Sequence, residues 1–332
     1  MTSVLDSEVE AYWQAISAGD GDAAYGVAAA ARDRGADLGD VLGALVTGSQ
    51  ARVGRLWAAN EWTVAQEHAA TAVSESVVTR LAGAVEPPAD GPVLLVACAE
   101  REWHALPALV VTHALRARGF RAEFLGANCS RDQMVARILD SGPRLVLLSA
   151  SVASSLPRVR RQIEAVRGTG TPVVVGGHAF AGDPQRAQRL GATAYAATPD
   201  DVVRMIGTLP LHVPNAGALR GPSAAEARAI QAAADEVARD VLAHPDLRDL
   251  LGDPESSPDH WTTVLATFVP HVVDCVVGAL LAEDDGVLPR ERTWLAEVVA
   301  RRGGEPGAVE VMWSVLAGRL RAFPRAVGML VG

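Results

Sequence analysis

The sequence predicts a multidomain chain with a four-helix cap, a doubly wound α/β domain built on a parallel five-stranded sheet, and an all-α carboxy-terminal domain. Three observations carry this. The hydrophobic period is helical over the first 87 residues, gives way to short β-rich runs alternating with helical patterns, and becomes helical again after about residue 222. Segments rich in Pro and Gly stand at both changes of period. A length of 332 residues with 49% hydrophobic side chains is enough for two or three cores of ordinary domain size. The expected domains are residues 1–87, 88–210 and 211–332.

In the first segment, helices are expected over 7–18, 21–34, 38–59 and 62–85, with Val64, His68, Thr71 and Glu75 along one line of the last. The run Glu86-Pro87-Pro88-Ala89-Asp90-Gly91-Pro92 cannot continue a helix and reads as a linker. Strands are then expected over 93–97, 122–125, 145–149, 172–175 and, weakly, 192–196. Ser130 and Gln133 have capping-box spacing, and Pro199 follows Thr198 at a first helical position. A second linker spans roughly 210–222, beyond which helices are expected over 223–243, 258–282, 288–302 and 306–322, with a kink at Pro270.

Composition excludes several classes of chemistry. There is no lysine, hence no Schiff-base lysine and no lysine-bearing phosphate loop. A net charge of −9 argues against direct nucleic-acid binding. That charge is uneven: residues 1–87 carry five basic and 12 acidic side chains, 88–210 carry 14 and 10, and 211–332 carry 11 and 17, so the middle segment should attract its neighbours. Cys98, Cys129 and Cys275 are too scattered for a local metal motif and point to a reducing, cytoplasmic setting. No run of about 18 consecutive apolar residues or export signal is present, so no membrane span is expected.

Directly after the first strand stands Glu102-Trp103-His104-Ala105-Leu106-Pro107, at the strand end where open α/β sheets bind ligands. An imidazole can ligate a transition metal, and a carboxylate two residues earlier can accept its other N–H, fixing the tautomer. Alone, that pairing is equally a surface hydrogen bond. Ser149 and Ser151 after the third strand, and Gly176 and Gly177 after the fourth, should lie at the same edge, where small residues leave room for a ligand. Either feature alone is also compatible with an ordinary turn.

These residues together resemble a cobalamin-binding domain of Rossmann-like fold, whose motif reads D/E-x-H-x-x-G, then S-x-L, then G-G. Glu102 and His104, Ser149, and Gly176-Gly177 match, whereas Pro107 replaces the motif glycine and Ser151 the leucine. The resemblance implies that His104 ligates cobalt from below. Trp57, nine residues, then Glu67-His68, with Gly54 and Glu61 nearby, further resembles the W-x9-E-H signature of CarH-type adenosylcobalamin photoreceptors. It implies that Trp57 caps the upper face, Glu67 hydrogen-bonds the adenosyl group, Val64 lines the pocket and His68 takes cobalt after light. Residues 57, 64 and 68 would share a face if one helix ran through them. The resemblance covers residues 1 to about 210 and implies a homo-oligomer with light-dependent assembly and an output partner of unknown identity. No DNA-binding helix-turn-helix is expected, and the protein is expected to be a sensor rather than an enzyme. The same sheet motif, without the helical signature, equally suits a corrinoid carrier or cobalamin-dependent methyltransferase module.

In the last segment, Trp261, Val264, Phe268, His271 and Cys275 form one stripe, with Asp274 adjacent, and Val309, Met312, Trp313 and Leu316 form another, bordered by Arg319 and Arg321. A plain helical bundle accounts for these stripes. The same side chains, with Trp294 and Arg302, also supply the aromatics, polar groups and arginines that a linear tetrapyrrole needs. A cap, a cobalamin domain and a globin-like helical domain in that order resemble the photocobilins, which implies biliverdin as a second chromophore.

Overall fold

The computed structural model describes residues 6–83, 90–252 and 257–332; the expected linker residues 86–89 lie outside these. Helices α1 (Asp6–Ser17), α2 (Gly21–Asp33), α3 (Leu38–Val41), α4 (Gly48–Ala58) and α5 (Val64–Ala82) form the first layer. A π-helical stretch, Leu42–Thr47, joins α3 to α4. Its fully or nearly fully buried Tyr12, Ile16, Leu42, Leu45 and Val77 make one core. The single helix expected over 38–59 is thus α3, π turn and α4.

The second layer contains β1 (Val93–Cys98), α6 (Leu106–Ala117), β2 (Arg121–Phe124), α7 (Arg131–Ser141), β3 (Leu145–Ser149), α8 (Leu156–Gly168), β4 (Val173–Gly176), α9 (Pro184–Arg189), β5 (Ala194–Tyr195) and α10 (Pro199–Met205). Five parallel strands run in the order β2-β1-β3-β4-β5, the doubly wound arrangement expected. β1 is buried along its whole length, which explains its unbroken apolar run Val-Leu-Leu-Val-Ala-Cys. Ser130 caps α7 through the box with Gln133, and Gly142 ends it in a left-handed conformation.

Helices α11 (Pro222–Ala232), α12 (Ala234–Ala243), α13 (Pro245–Leu251), α14 (Trp261–Ala282), α15 (Val287–Arg301), α16 (Ala308–Arg319) and α17 (Pro324–Val331) complete the chain. The helix expected over 223–243 breaks at Ala233, whose φ of −107° leaves the helical well, and α13 and α17, each opening on a proline, were not anticipated. α14 continues through Pro270 and is long and apolar enough to cross a membrane, but most of it is buried as the centre of this helical layer. It also packs against the sheet layer, where a Cβ on Gly278 would stand 3.0 Å from that of Leu156. The attraction expected between basic middle and acidic flank is realised in two largely buried pairs, Arg158 with Asp274 at 2.9 Å and Arg186 with Asp284 at 2.7 Å.

Candidate functional site

Strand register assembles the site. Cys98 of β1 pairs with Ser149 of β3, and Ser149 pairs with Gly176 of β4, so the carboxyl ends of three neighbouring strands form one row. Gly176 and Gly177 are required by the backbone itself. A Cβ at Gly176 would lie 2.6 Å from the Ala196 carbonyl oxygen; at Gly177, where φ is +100°, it would lie 2.2 Å from that of Ala150.

Beyond β1 the chain turns sharply through Arg101, which is left-handed at φ +63°, and its N–H donates to Asn128 Oδ1 at 2.7 Å. The turn drives Glu102 inward, to 1% exposure. Its Oε2 accepts from the Ser151 N–H at 2.8 Å and the Ser155 hydroxyl at 3.4 Å, while Oε1 accepts from the His104 N–H at 3.1 Å and from His104 Nδ1. Burial opposes the charge on Glu102, but these donors win and hold its carboxyl below the ordinary value. His104 titrates above the ordinary histidine value, chiefly through its hydrogen bond to Glu102, against burial, with a smaller contribution from the Glu67 charge on α5. The carboxylate only accepts, so in the neutral imidazole Nδ1 carries the proton and Nε2 keeps its lone pair, on a side chain 59% exposed. Pro107 falls in the first turn of α6, where its missing N–H costs nothing.

The cap histidine is prepared in the same way. Thr63 and Gln66 form a capping box that starts α5, and one turn later His68 Nδ1 lies 2.7 Å from the Val64 carbonyl oxygen. A carbonyl also only accepts, so Nε2 of His68 is again the bare nitrogen, on a side chain 72% exposed. Glu67 is held by the Thr71 hydroxyl at 3.1 Å. The unbroken helix that would align Trp57, Val64 and His68 does not exist: α4 ends at Ala58, Asn60 is left-handed at φ +60°, and α5 begins afresh. Trp57 therefore lies on a different helix and stacks on Trp294 of α15, with ring centroids 6.1 Å apart and the Arg302 guanidinium 4.6 Å above its ring.

Of the carboxy-terminal candidates, the structure groups some and separates others. Phe268 meets His271 at 5.0 Å and Trp294 at 5.2 Å, and His271 hydrogen-bonds Glu291 at 2.6 Å, with Cys275 alongside. Asp274 instead faces the sheet layer and Arg158. Trp313 is sealed in the core, Arg319 is bound to Asp240 and Glu236, Trp261 packs against His260, and Arg321 is exposed. Burial raises the Cys275 thiol well above its ordinary value, which makes it a poor nucleophile. Two contributors escape sequence reading. Ser155 supports Glu102 from 53 positions away, and Asn128 fixes the turn; only the concentration of serines over 149–155 hints at the first.

Residues 92–204 match the family model described as the B12 binding domain, and residues 8–82 match a second model, also described as a B12 binding domain. The chain carries B12-binding domains. Among solved structures, the Methanosarcina barkeri monomethylamine corrinoid protein aligns over 62% of this chain and 100% of its own, with a TM-score of 0.54 and 16% identity, a likeness of fold. A cobalamin-binding protein from Desulfitobacterium hafniense DCB-2 aligns over 62% of this chain and 98% of its own at 21% identity and a TM-score of 0.33. No curated protein matches the sequence. The B12-binding edge of the sheet fits a cobalt-containing cofactor on its own geometry: one imidazole with a free Nε2, a buried carboxylate behind it, and glycines where a side chain cannot stand.

Proposed function

We propose that this protein is a light sensor with adenosylcobalamin as chromophore. The observation that carries the reading is the pair of histidines, His104 on the sheet and His68 on the cap, each with Nδ1–H engaged and Nε2 free. Adenosylcobalamin, when bound, supplies a cobalt–carbon bond that light breaks. His104 holds the cobalt from the sheet side, oriented by Glu102. Glu67, whose charge reaches His104, would orient the cofactor from the cap side, and His68 would offer its free Nε2 to the metal after light. A bond from His68 to the bound metal would draw α5 toward the sheet and shift the packing of the cap, with light-dependent assembly of a homo-oligomer as the readout. Direct nucleic-acid binding is not part of this reading, given the net charge of −9. Biliverdin is the proposed second chromophore, beside Phe268 and Trp294.

A corrinoid carrier or methyltransferase module working in the dark is the second reading, favoured by the fold shared with a corrinoid protein. It has no use for His68. The His68→Ala variant separates the two: it should bind adenosylcobalamin in darkness like the parent and fail to form a stable light product. An unchanged light product in that variant would refute the sensor mechanism, and methyl transfer in darkness would establish the second reading.

A further inference from the structure

We propose that His271, Cys275 and Glu291 form a second metal site, for a zinc-class divalent ion, within the carboxy-terminal helices. His271 and Cys275 stand one turn apart on α14, and α15 brings Glu291 to them. Nitrogen, sulfur and carboxylate oxygen all lie within 4.8 Å of one another. Ligands of one tetrahedral zinc are about 3.5 Å apart, from bond lengths of about 2.0–2.3 Å, so the 2.6 Å contact between His271 and Glu291 has to open by about 1 Å to admit the ion. Rotation of the Glu291 side chain supplies that movement.

Charge and donor type favour the same ion. Glu291 is largely buried, at 16% exposure, and among the described residues its ion-pair partner is His271 alone. The neighbouring charges are already committed, Asp274 to Arg158 and Arg292 to Glu310. A divalent cation on one carboxylate, one thiolate and one neutral imidazole leaves the cluster with no net charge. Magnesium and calcium prefer all-oxygen cages, whereas nitrogen, sulfur and one oxygen suit zinc. Phe268, itself packed on Trp294, walls the imidazole on one side, and the partial exposure of His271 and Glu291 leaves an entry path for the ion and for a water as fourth ligand. Binding forms the metal–sulfur bond and releases the Cys275 proton to solvent, so retention strengthens as pH rises. None of this depends on cobalamin or light.

The test is zinc content of the full chain after chelation, zinc addition and desalting, counted by elemental mass spectrometry, which separates zinc from cobalt. One zinc per chain should be retained by the parent and by His104→Ala, with at least about tenfold weaker affinity in Cys275→Ala and Glu291→Gln. Glu291→Gln is partly exposed and nearly isosteric, and circular dichroism verifies that it folds. No zinc in the parent, retention lost in His104→Ala, or equal retention in Glu291→Gln would each overturn the site.

Discussion

At Glu102, one fully buried carboxylate holds together a β1 turn, the β3 exit and the His104 tautomer. Glu102→Gln replaces one acceptor by a donor and leaves either the Ser151 N–H or His104 Nδ1 unmatched. The expected cost is about 1–3 kcal/mol of stability and a fall of about 10–100-fold in cobalamin affinity, read by denaturation and by titration with the cofactor. His113 is a contrasting residue. It is buried on α6 with Nδ1 unpartnered, and burial first, then Arg116, pushes its pKa down to about 4. The unfolded chain therefore binds a proton below about pH 6.5 that the folded chain refuses until about pH 4. Stability should fall as pH drops through that window, by roughly 3 kcal/mol at its acid end. His113→Gln should flatten this part of the acid-unfolding curve; an unchanged slope would contradict the assignment.

Among the elements, the corner between α4 and α5 connects cap and carboxy-terminal helices. Arg302, 8% exposed, donates to the Trp57 and Ala58 carbonyl oxygens at the end of α4, at 2.9 and 3.4 Å, where the Trp57 oxygen also accepts from the Asn60 N–H at 3.0 Å, and the Asn60 side chain donates to the Arg301 carbonyl at 3.3 Å. Arg302→Ala should cost about 2–3 kcal/mol and speed amide hydrogen exchange in the last turn of α4 and in α15 together. Exchange that rises in only one of them would show that the corner does not couple the layers. The sheet and its motif edge were legible because strand burial leaves unbroken apolar runs, with the motif residues directly after them. The α4–α5 break was legible too, as the gap between the helices expected over 38–59 and 62–85, whereas the π-helical stretch Leu42–Thr47 was not, since it lies inside an uninterrupted helical period. Likewise, the apolar stripe of α14 was readable, whereas the turning of Asp274 toward Arg158 depends on a partner 116 positions away.

For the whole molecule, α14 serves two layers. It is the centre of the helical core and the surface against which α8 and the sheet dock, with Arg158 and Arg186 answering acidic residues across that boundary. The cap reaches the same helices through Trp57, so a movement of α5 at the cobalt site has a physical route to the carboxy-terminal layer. In the proposed sensor, His68 and His104 offer their free Nε2 atoms to one cobalt in a light-dependent order. The most direct measurement is the absorbance spectrum of the full chain, loaded with adenosylcobalamin in darkness, before and after green illumination. A sensor of this kind should show a permanent spectral change that survives return to darkness. Superimposable spectra before and after light would contradict it.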